Sequence, residues 1–551
     1  MVKNFLITSS LVFFLIQICF AENQLYKYHN HQQNEKLIVQ ISKSYNNILT
    51  SEILTKTSTG KPIHAIKITG KNKTVKPTIL VVGGLEGNEL TSVEISMDLI
   101  KYFGSNYKTN DVIRSILDDC NLYIIPNANP EATENFFQKL HKSQKVNLTK
   151  VDNDLDGLTN EDDVNDLNKD GIISIMRVKD LQGEWIINKE YPIMRKYTLE
   201  DSVMERYSII SEGVDDDDDG LINEDGIGGV DIDKNFTYNF EFSDKEAGTY
   251  ALSQPESKAI ADFIFNHPEI VMVYSFSDDN NLLSTWASTN KPAVDYLGEI
   301  KKAGNISKVL QEDAKVLEIV SEKYKNIYTQ IEYFSTDKNN GNFAEWAYYH
   351  TGRISITAPA WRFSLDPVDS TKCKNKDIEF YKWLLRTDQQ EKIVDWQKIN
   401  HPDFPNQEVE IGGYKPFCRE NAPKDSLKQL FIQNRSFVLT LGKIMPKINI
   451  ADIQSTKLSD GVHRVEFFIA NTGNLATSTE LGKHLRWIPK IRVNMDESVE
   501  LLSGKKFFVL DKIEGNGGVK KLSWLIKTNK KSIEIKVHSP IFGDITKEVT
   551  L

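Results

Sequence analysis

Short apolar runs alternate with longer helical patterns between about residues 61 and 365. The strand-like runs read TILVVGG, NLYIIPN, EIVMVYSF and GRISITAPA, and they are rich in β-branched residues. Strands that alternate with helices favour a largely parallel sheet covered by helices. The pattern therefore predicts an α/β domain built on a mixed, mostly parallel sheet with helices on both faces.

One helix start is marked more sharply than the others. Ser253 and Glu256 stand three residues apart, which fits a capping box, and Pro255 falls early in the first turn. Apolar residues then follow at helical spacing, at Ala259, Ile260, Phe263 and Ile264. We expect a helix that begins here with Ser253 as its capping residue.

The pattern changes to a period of two from about residue 445. Ile533, Ile535 and Val537 alternate with polar residues, and turn-forming segments read NTGN and EGNGG. This alternation is typical of strands with one buried face. It predicts a small β-sandwich at residues 445–551, after an α/β domain at residues 22–444.

The first 21 residues have the pattern of a signal peptide. Lys3 precedes a mainly apolar run that ends at small Ala21. The run is too short to span a bilayer comfortably, and bulky Ile18 argues against lipid attachment at Cys19. We predict cleavage after Ala21, no transmembrane segment afterwards, and an exported protein that is periplasmic, cell-surface or secreted.

Three cysteines remain after this cleavage, at Cys120, Cys373 and Cys418. An odd number does not define a disulfide framework. A pair between Cys373 and Cys418 stays open.

The acidity of the chain is concentrated in two short segments. The formal net charge is -10, yet residues 152–170 and 212–226 together carry -15, so the rest of the chain is positive by about 5. Because no basic stripe accompanies these segments, the sequence does not support nucleic-acid binding.

The acidic segments have the spacing of calcium-binding loops. DNDLDG, DLNKDG and DDDDDG each place oxygen-bearing side chains at positions 1, 3 and 5 and glycine at position 6. The bidentate glutamate usual at position 12 is replaced by Asp163 in the first loop and Gly226 in the third. A solvated acidic loop is the alternative interpretation. The candidate calcium ligands are Asp152, Asp154, Asp156, Asp163, Asp166, Asn168, Asp170, Asp215, Asp217 and Asp219.

Five sequence blocks resemble the zinc carboxypeptidase family, the carboxypeptidase A-like metallopeptidases. They read GGLEGNE, IIPNANPEA, GVDIDKNFTYNF, LSQPESKAIADFI and FAEWAYYHTGRISITAPAW, and they occur in family order over about residues 25–445. The resemblance implies a peptidase-type α/β fold, a zinc cofactor and metallocarboxypeptidase activity on peptides.

The zinc site that the resemblance implies is degenerate in this sequence. Such a site needs two imidazoles and one carboxylate on zinc, with a second carboxylate as general base. Glu86 stands where the family has its first histidine, and Glu89 keeps the family's glutamate. No histidine lies between Tyr274 and Leu283, where the second is expected, and Pro359 stands at the catalytic glutamate position. We therefore expect poor zinc binding and no competent catalytic residue.

The substrate-binding positions of the family have also changed. Asp233 and Lys234 correspond to an Asn-Arg pair that holds a peptide's terminal carboxylate, while Arg177 and Tyr333 resemble a second arginine and a substrate-closing tyrosine. The leading hypothesis is an inactive pseudopeptidase that binds peptide or peptidoglycan-like, cell-wall-type ligands in the old cleft.

Three alternatives stay open. Glu86 and Glu89 with Asp278 or Asp279 would make an all-oxygen site for a hard cation, although a Glu86 that is simply solvated in a vacated cleft is the favoured interpretation. A calcium-dependent structural or adhesive surface protein would use the sandwich and the acidic loops and leave the cleft idle. An active metallocarboxypeptidase with a rearranged metal site would need other histidines, with His64, His267 and His350 as candidates.

Overall fold

The computed structural model describes residues 27–72, 74–152, 157–201, 205–223, 226–289, 307–329, 339–365, 375–485 and 487–551. The predicted signal peptide at residues 1–21 lies outside these ranges, as do Asp154, Asp156, Tyr333 and Cys373. No helix within the ranges combines the length and the apolarity needed to cross a bilayer.

The centre of the protein is a six-stranded mixed sheet with the strand order β1-β2-β4-β3-β9-β12. Strands β4, β3, β9 and β12 run parallel, while β1 and β2 pair antiparallel. Every residue of β3, β4 and β9 is buried, as expected for parallel strands. The mixed sheet predicted from the apolar runs is confirmed. Its strands are β1 (Leu49–Lys56), β2 (Pro62–Ile68), β3 (Thr78–Val82), β4 (Asn121–Ile125), β9 (Ile270–Ser275) and β12 (Ile354–Thr357).

The helices bury their apolar residues in one continuous core with this sheet. Short 3-10 helices cover Asn135–Phe137, Ile232–Lys234, Lys245–Ala247 and Gln390–Lys392. The α-helices of the described ranges are α1 (His31–Ser44), α2 (Leu90–Asn106), α3 (Asp111–Asp119), α4 (Pro130–Glu134), α5 (Pro255–Asn266), α6 (Gln311–Ile327), α7 (Phe343–Tyr349), α8 (Lys376–Arg386), α9 (Lys424–Ile444) and α10 (Glu480–His484).

Helix α5 begins at Pro255 as predicted, but the predicted capping box is wrong. Gln254 is the N-cap residue, and no side chain caps the helix. The Ser253 hydroxyl instead accepts a hydrogen bond from Asn235 Nδ2 at 3.0 Å, and Asn235 Oδ1 accepts from the Gln254 backbone at 3.1 Å. A buried asparagine from a distant part of the chain thus replaces the local cap.

A second six-stranded sheet, which the sequence analysis did not predict, is entirely antiparallel. Its order is β13-β14-β5-β8-β6-β7. β5 follows the first acidic segment and β8 precedes the second, so the acidic inserts are attached to this sheet. The strands are β5 (Ile175–Lys179), β6 (Trp185–Ile187), β7 (Met194–Lys196), β8 (Tyr207–Ser211), β13 (Ile393–Ile399) and β14 (Val409–Tyr414), and a separate parallel pair joins β10 (Ser288–Thr289) to β11 (Val309–Leu310).

The C-terminal region forms two four-stranded antiparallel sheets with the orders β15-β16-β20-β18 and β19-β17-β21-β22. Ile533, Ile535 and Val537 are buried, which confirms the period of two. Asp313 of α6 accepts hydrogen bonds from the backbone of Glu480 at 2.6 Å and Leu481 at 3.1 Å, and so ties this region to the α/β part. The strands are β15 (Ile448–Ser459), β16 (Val462–Asn471), β17 (Ile491–Met495), β18 (Glu500–Ser503), β19 (Phe507–Leu510), β20 (Gly518–Lys527), β21 (Ser532–Ser539) and β22 (Gly543–Thr550).

Candidate functional site

The candidate site lies where three parallel strands of the central sheet end. β3, β9 and β12 are neighbours, so their carboxyl ends meet at one edge of the sheet. Glu86 and Glu89 follow β3, Asp278 follows β9 and Arg362 follows β12. Sequence-distant charged side chains are thereby brought into one cleft.

Two glycines allow the loop after β3 to pack closely against its neighbours. Gly84 has a φ of +67°, and a Cβ there would lie 2.4 Å from the Asn127 side chain. A Cβ on Gly87 would lie 2.4 Å from the carbonyl oxygen of Lys145. The close approach at Gly87 brings the backbone of Lys145 beside the two glutamates.

Lys145 bridges two carboxylates of the cleft. Its Nζ lies 2.8 Å from Glu86 Oε2 and 3.0 Å from Asp278 Oδ2. Burial lowers the pKa of Lys145, but Glu86 and Asp278 outweigh that effect and hold the pKa above its ordinary value. The ammonium group therefore stays charged in the physiological range.

Arg362 makes the second bridge. Its Nη1 lies 3.5 Å from Glu89 Oε1, and its Nη2 donates to Asp278 Oδ1. The backbone N–H of Ala360 also donates to Glu89 Oε1, at 3.0 Å. Burial raises the pKa of Asp278, but the guanidinium of Arg362 and the ammonium of Lys145 outweigh burial and hold it below its usual value.

Two further carboxyl groups lie buried next to this cluster. Asp233 accepts hydrogen bonds from the Phe343 backbone at 2.9 Å and from the Ser277 hydroxyl at 2.8 Å. Burial, together with the charge of Glu86, raises the pKa of Asp233 well above its ordinary value. The same two causes raise the pKa of Asp231 to about 8.

Glu89 should make stability depend on pH. Burial raises its pKa from 4.5 to about 8, despite the opposing charge of Arg362. Between pH 4.5 and about pH 8 the folded state therefore binds more protons than the unfolded state. The free energy of unfolding then falls as the pH rises through this range, by up to about 1.4 kcal/mol per pH unit for one proton. Denaturant unfolding should give a shallower slope for Glu89→Gln than for the wild type. Parallel profiles would contradict this assignment.

The residues present do not fit a zinc ion. Zinc in proteins prefers imidazole and thiolate ligands, and the cleft supplies carboxylates whose oxygens already face Lys145 and Arg362. Within the described ranges, a group of three potential metal ligands has its ligand atoms within 4.8 Å of one another. It consists of Asp215, Asp217 and Asp219 and lies outside this cleft. Glu86 is only 2% exposed, so the interpretation of a solvated Glu86 is wrong. Both of its carboxylate oxygens, and Glu89 Oε2, have no hydrogen-bond partner among the described atoms.

The three histidines considered for a rearranged metal site are engaged elsewhere. His64 Nε2 lies 2.9 Å from Glu35, and His267 Nδ1 lies 2.8 Å from Glu269. His350 Nδ1 lies 2.6 Å from the Thr237 hydroxyl. The all-oxygen alternative is also not assembled, because Asp278 is held by the two cations and Asp279 accepts from Trp286 Nε1 at 3.1 Å.

The predicted substrate-binding cations are paired with carboxylates. Lys234 Nζ lies 3.0 Å from Asp244 and 2.5 Å from Glu246. Arg177 lies on β5, where it pairs with Glu410 at 2.7 Å and stacks over the ring of Trp396 at 4.1 Å. Neither cation is free to receive a peptide carboxylate. Pro359 lies half-buried between β12 and Ala360, and Tyr333 is outside the described residues.

The acidic loops have a repeated hydrogen-bond pattern. Asp166 accepts from the backbone of Asp170 and Gly171, and Asp215 accepts in the same way from Asp219 and Gly220. Asp152 similarly accepts from the Gly157 backbone at 3.0 Å. Ligand atoms of Asp215, Asp217 and Asp219 lie within 4.8 Å of one another.

Not every predicted calcium ligand joins a loop, and the two inserts are linked to each other. Asp163 instead pairs with Lys142 at 2.8 Å. The loop residues Asn168 and Asp170 bond to each other through Asn168 Nδ2, at 3.1 Å. Buried Glu212 accepts from the Leu167 backbone at 2.9 Å, which joins the second insert to the first.

Two neighbouring cavities lie near the site, and the larger one borders it at Lys145. The larger, of about 690 Å³, is lined in part by Lys145, Ser143 and Glu246. The smaller, of about 310 Å³, is lined by Trp185, Trp396 and apolar side chains of the second sheet, and also by the charged residues Asp377, Lys415, Arg419 and Glu420. Both share the lining residues Ser143, Ile175, Tyr414 and Pro416.

The fold and the position of the cleft define an α/β protein of the peptidase type, with its site at the carboxyl ends of parallel strands. The chain belongs to the zinc carboxypeptidase family, whose family model matches residues 34–171 and 195–364. A second family model, a domain of unknown function, matches residues 447–550.

Individual relatives are distant and match only part of the chain. Carboxypeptidase D of Mus musculus is 25% identical over 135 residues, which are 24% of this chain and 10% of that protein. A zinc carboxypeptidase of Saccharothrix mutabilis subsp. capreolus is 26% identical over 135 residues, covering 23% of this chain and 31% of that protein. The chain thus spans about a tenth to a third of the length of these relatives. The crystal structure of carboxypeptidase A from Helicoverpa armigera aligns with a TM-score of 0.42 at 12% identity, over 76% of this chain and 73% of that one.

Sequence reasoning missed the two cations of the cleft. Lys145 lies outside the five family blocks, and Arg362 follows the last block directly. The available signal was charge balance: buried acids such as Glu86 and Glu89 need compensating cations, although the sequence does not say which.

Proposed function

We propose that this protein is a catalytically inactive member of the zinc carboxypeptidase family that binds a peptide or peptidoglycan-like ligand beside the former metal site. The observation that carries the proposal is the pairing of Glu86 and Glu89, which stand at zinc-ligand positions, with Lys145 and Arg362. Because a positive side chain already lies against each of these carboxyl groups, a zinc ion at the same place would be repelled by it. Pro359 supplies no proton acceptor for a general-base step.

The ligand is proposed to occupy the larger cavity rather than the position expected from the family. Lys234 and Arg177 no longer support carboxylate binding, because both are already paired. The cavity of about 690 Å³ lies within the size range of ligand sites, and it shares four lining residues with the cavity that contains Trp185 and Trp396. A ligand there would be held by polar groups near Lys145 and by apolar groups of the second sheet.

Calorimetry with C-terminal peptides and peptidoglycan stem peptides tests this binding. Ser143 is exposed and lines both cavities, so Ser143→Trp should fill part of them and weaken binding by at least about tenfold, about 1.4 kcal/mol. Ser105→Trp, at an exposed position of α2 that lines neither cavity, is the matched control. If no peptide binds, or if both variants bind like the wild type, the cavity is not the ligand site.

The C-terminal sheets and the acidic loops are assigned supporting roles. We propose that the two antiparallel sheets pack as a β-sandwich, since both alternate buried and exposed residues. The pattern of residues 1–21 supports export, where free calcium is abundant enough for loops of modest affinity.

Calcium should stabilise the protein through the acidic inserts. Oxygen ligands that converge only in the folded state bind calcium there, and such binding adds about 2.7 kcal/mol at a hundredfold excess over Kd. The melting midpoint should therefore rise between chelator and millimolar calcium. The triple variant Asp215→Asn, Asp217→Asn, Asp219→Asn should lose most of the rise, and a wild-type midpoint indifferent to calcium would remove the assignment.

The specific alternative is a calcium-dependent structural or adhesive surface protein. The converging aspartates of the third loop favour it, because they need no function of the cleft. Loss of cell-surface retention on deletion of residues 445–551, with peptide binding absent in the intact protein, would favour this alternative over the first proposal.

A further inference from the structure

The cleft contains more buried carboxyl groups than a protein interior usually holds. Glu86, Glu89, Asp231 and Asp233 are each at most 2% exposed, and Asp278 lies beside them. Buried carboxylates are costly unless they are paired or protonated. In the described part of the chain, the ion pairs of these five groups are made to Lys145 and Arg362.

The two cations connect the strand ends as a bound cation would. Lys145 joins Glu86, after β3, to Asp278, after β9, at 2.8 and 3.0 Å. Arg362, after β12, joins Glu89 to the other oxygen of Asp278. One connected network of opposite charges therefore spans all three strand ends.

The backbone of Lys145 is held where its side chain can reach this network. Its carbonyl oxygen accepts a hydrogen bond from Asn129 Nδ2 at 2.9 Å and lies against Gly87, where any side chain would collide with it. The Lys145 side chain is 30% exposed, whereas the Glu86 side chain is only 2% exposed. Lys145 is thus the more accessible partner of this ion pair.

We infer that the Lys145 ammonium is a tethered replacement for a bound metal cation, and that removing it uncovers a divalent-cation site made of carboxylates. This inference goes beyond the proposed function, because it concerns what holds the strand ends together and not what the protein binds. The oxygen ligands Glu86 and Asp278 would suit a hard cation such as Mn²⁺.

The test compares Lys145→Met with Lys142→Met. Lys142 lines the same large cavity and pairs with Asp163 at 2.8 Å, so it controls for loss of a half-buried lysine. In chelator, Lys145→Met should melt roughly 5 °C below the wild type, because buried Glu86 loses its ion-pair partner and the partly exposed Asp278 keeps only Arg362. Titration with Mn²⁺ should then raise the melting midpoint of Lys145→Met by several degrees more than it raises the midpoints of the wild type and of Lys142→Met. In those two proteins the response to Mn²⁺ comes from the acidic inserts.

Lys145→Arg keeps the positive charge and should respond to Mn²⁺ like the wild type, which keeps the inference testable if Lys145→Met does not fold. An equal Mn²⁺ response in Lys145→Met and Lys142→Met would overturn the inference, as would a Lys145→Arg variant that depends on metal.

Metal analysis separates this result from the proposed function. Cleft-bound zinc in a wild type that does not hydrolyse peptides refutes only the inference, whereas hydrolysis by a zinc-free wild type refutes only the inactive function.

Discussion

The purified protein is expected to release no C-terminal residue from peptides, with or without added zinc. Zinc lowers the pKa of its bound water to about 7, and without tightly bound zinc the attacking water keeps its high pKa. The general base is also missing at Pro359, and general acid-base catalysis typically contributes about 10² to 10⁴-fold. The two losses act on the same step, so activity should fall below detection.

Restoring single groups should not recover this activity. Glu86→His would still face the Lys145 ammonium, and Pro359→Glu would add a carboxylate with no metal-bound water to deprotonate. The double variant should therefore remain inactive in a mass-spectrometric assay with a panel of short peptides. Zinc at about one ion per chain, with hydrolysis abolished by a chelator and by Glu89→Gln, would return the protein to the active members of the family.

Loss of Arg362 should destabilise the fold by about 2–3 kcal/mol, below the usual cost of breaking a fully buried ion pair, because Arg362 and Asp278 are each about one third exposed. Arg362→Ala leaves Glu89 and Asp278 without their guanidinium partner and also removes a 2.7 Å hydrogen bond to the Trp361 carbonyl. Chemical denaturation measures the difference at fixed pH and calcium concentration.

Two comparisons define the Arg362 result. Arg114→Ala removes an exposed i,i+3 pair with Asp111 and should cost at most about 1 kcal/mol. Arg362→Lys should fall between the wild type and Arg362→Ala, because lysine keeps the charge but loses the planar fork that reaches two carboxylates. A cost for Arg362→Ala no larger than that for Arg114→Ala would mean that the cleft network contributes little to stability.

The sequence by itself determined the class of the fold, and it predicted the loss of the usual zinc ligands. Runs such as TILVVGG predicted buried parallel strands because the burial of a strand is recorded in its own residues. The alternation at Ile533, Ile535 and Val537 predicted one-sided strands for the same local reason. Glu86 and Pro359 are visible as substitutions once the family blocks are aligned in order.

The tertiary structure alone decided which cations face the carboxyl groups of the cleft. Lys145 meets Asp278 across 133 positions of sequence, and Arg362 meets Glu89 across 273. Lys234 and Arg177 look available in the sequence, yet the fold pairs them with Glu246 and Glu410. Periodicity reports whether a residue is buried but not which distant residue neutralises its charge, because an ion pair depends on where separate strands end in space.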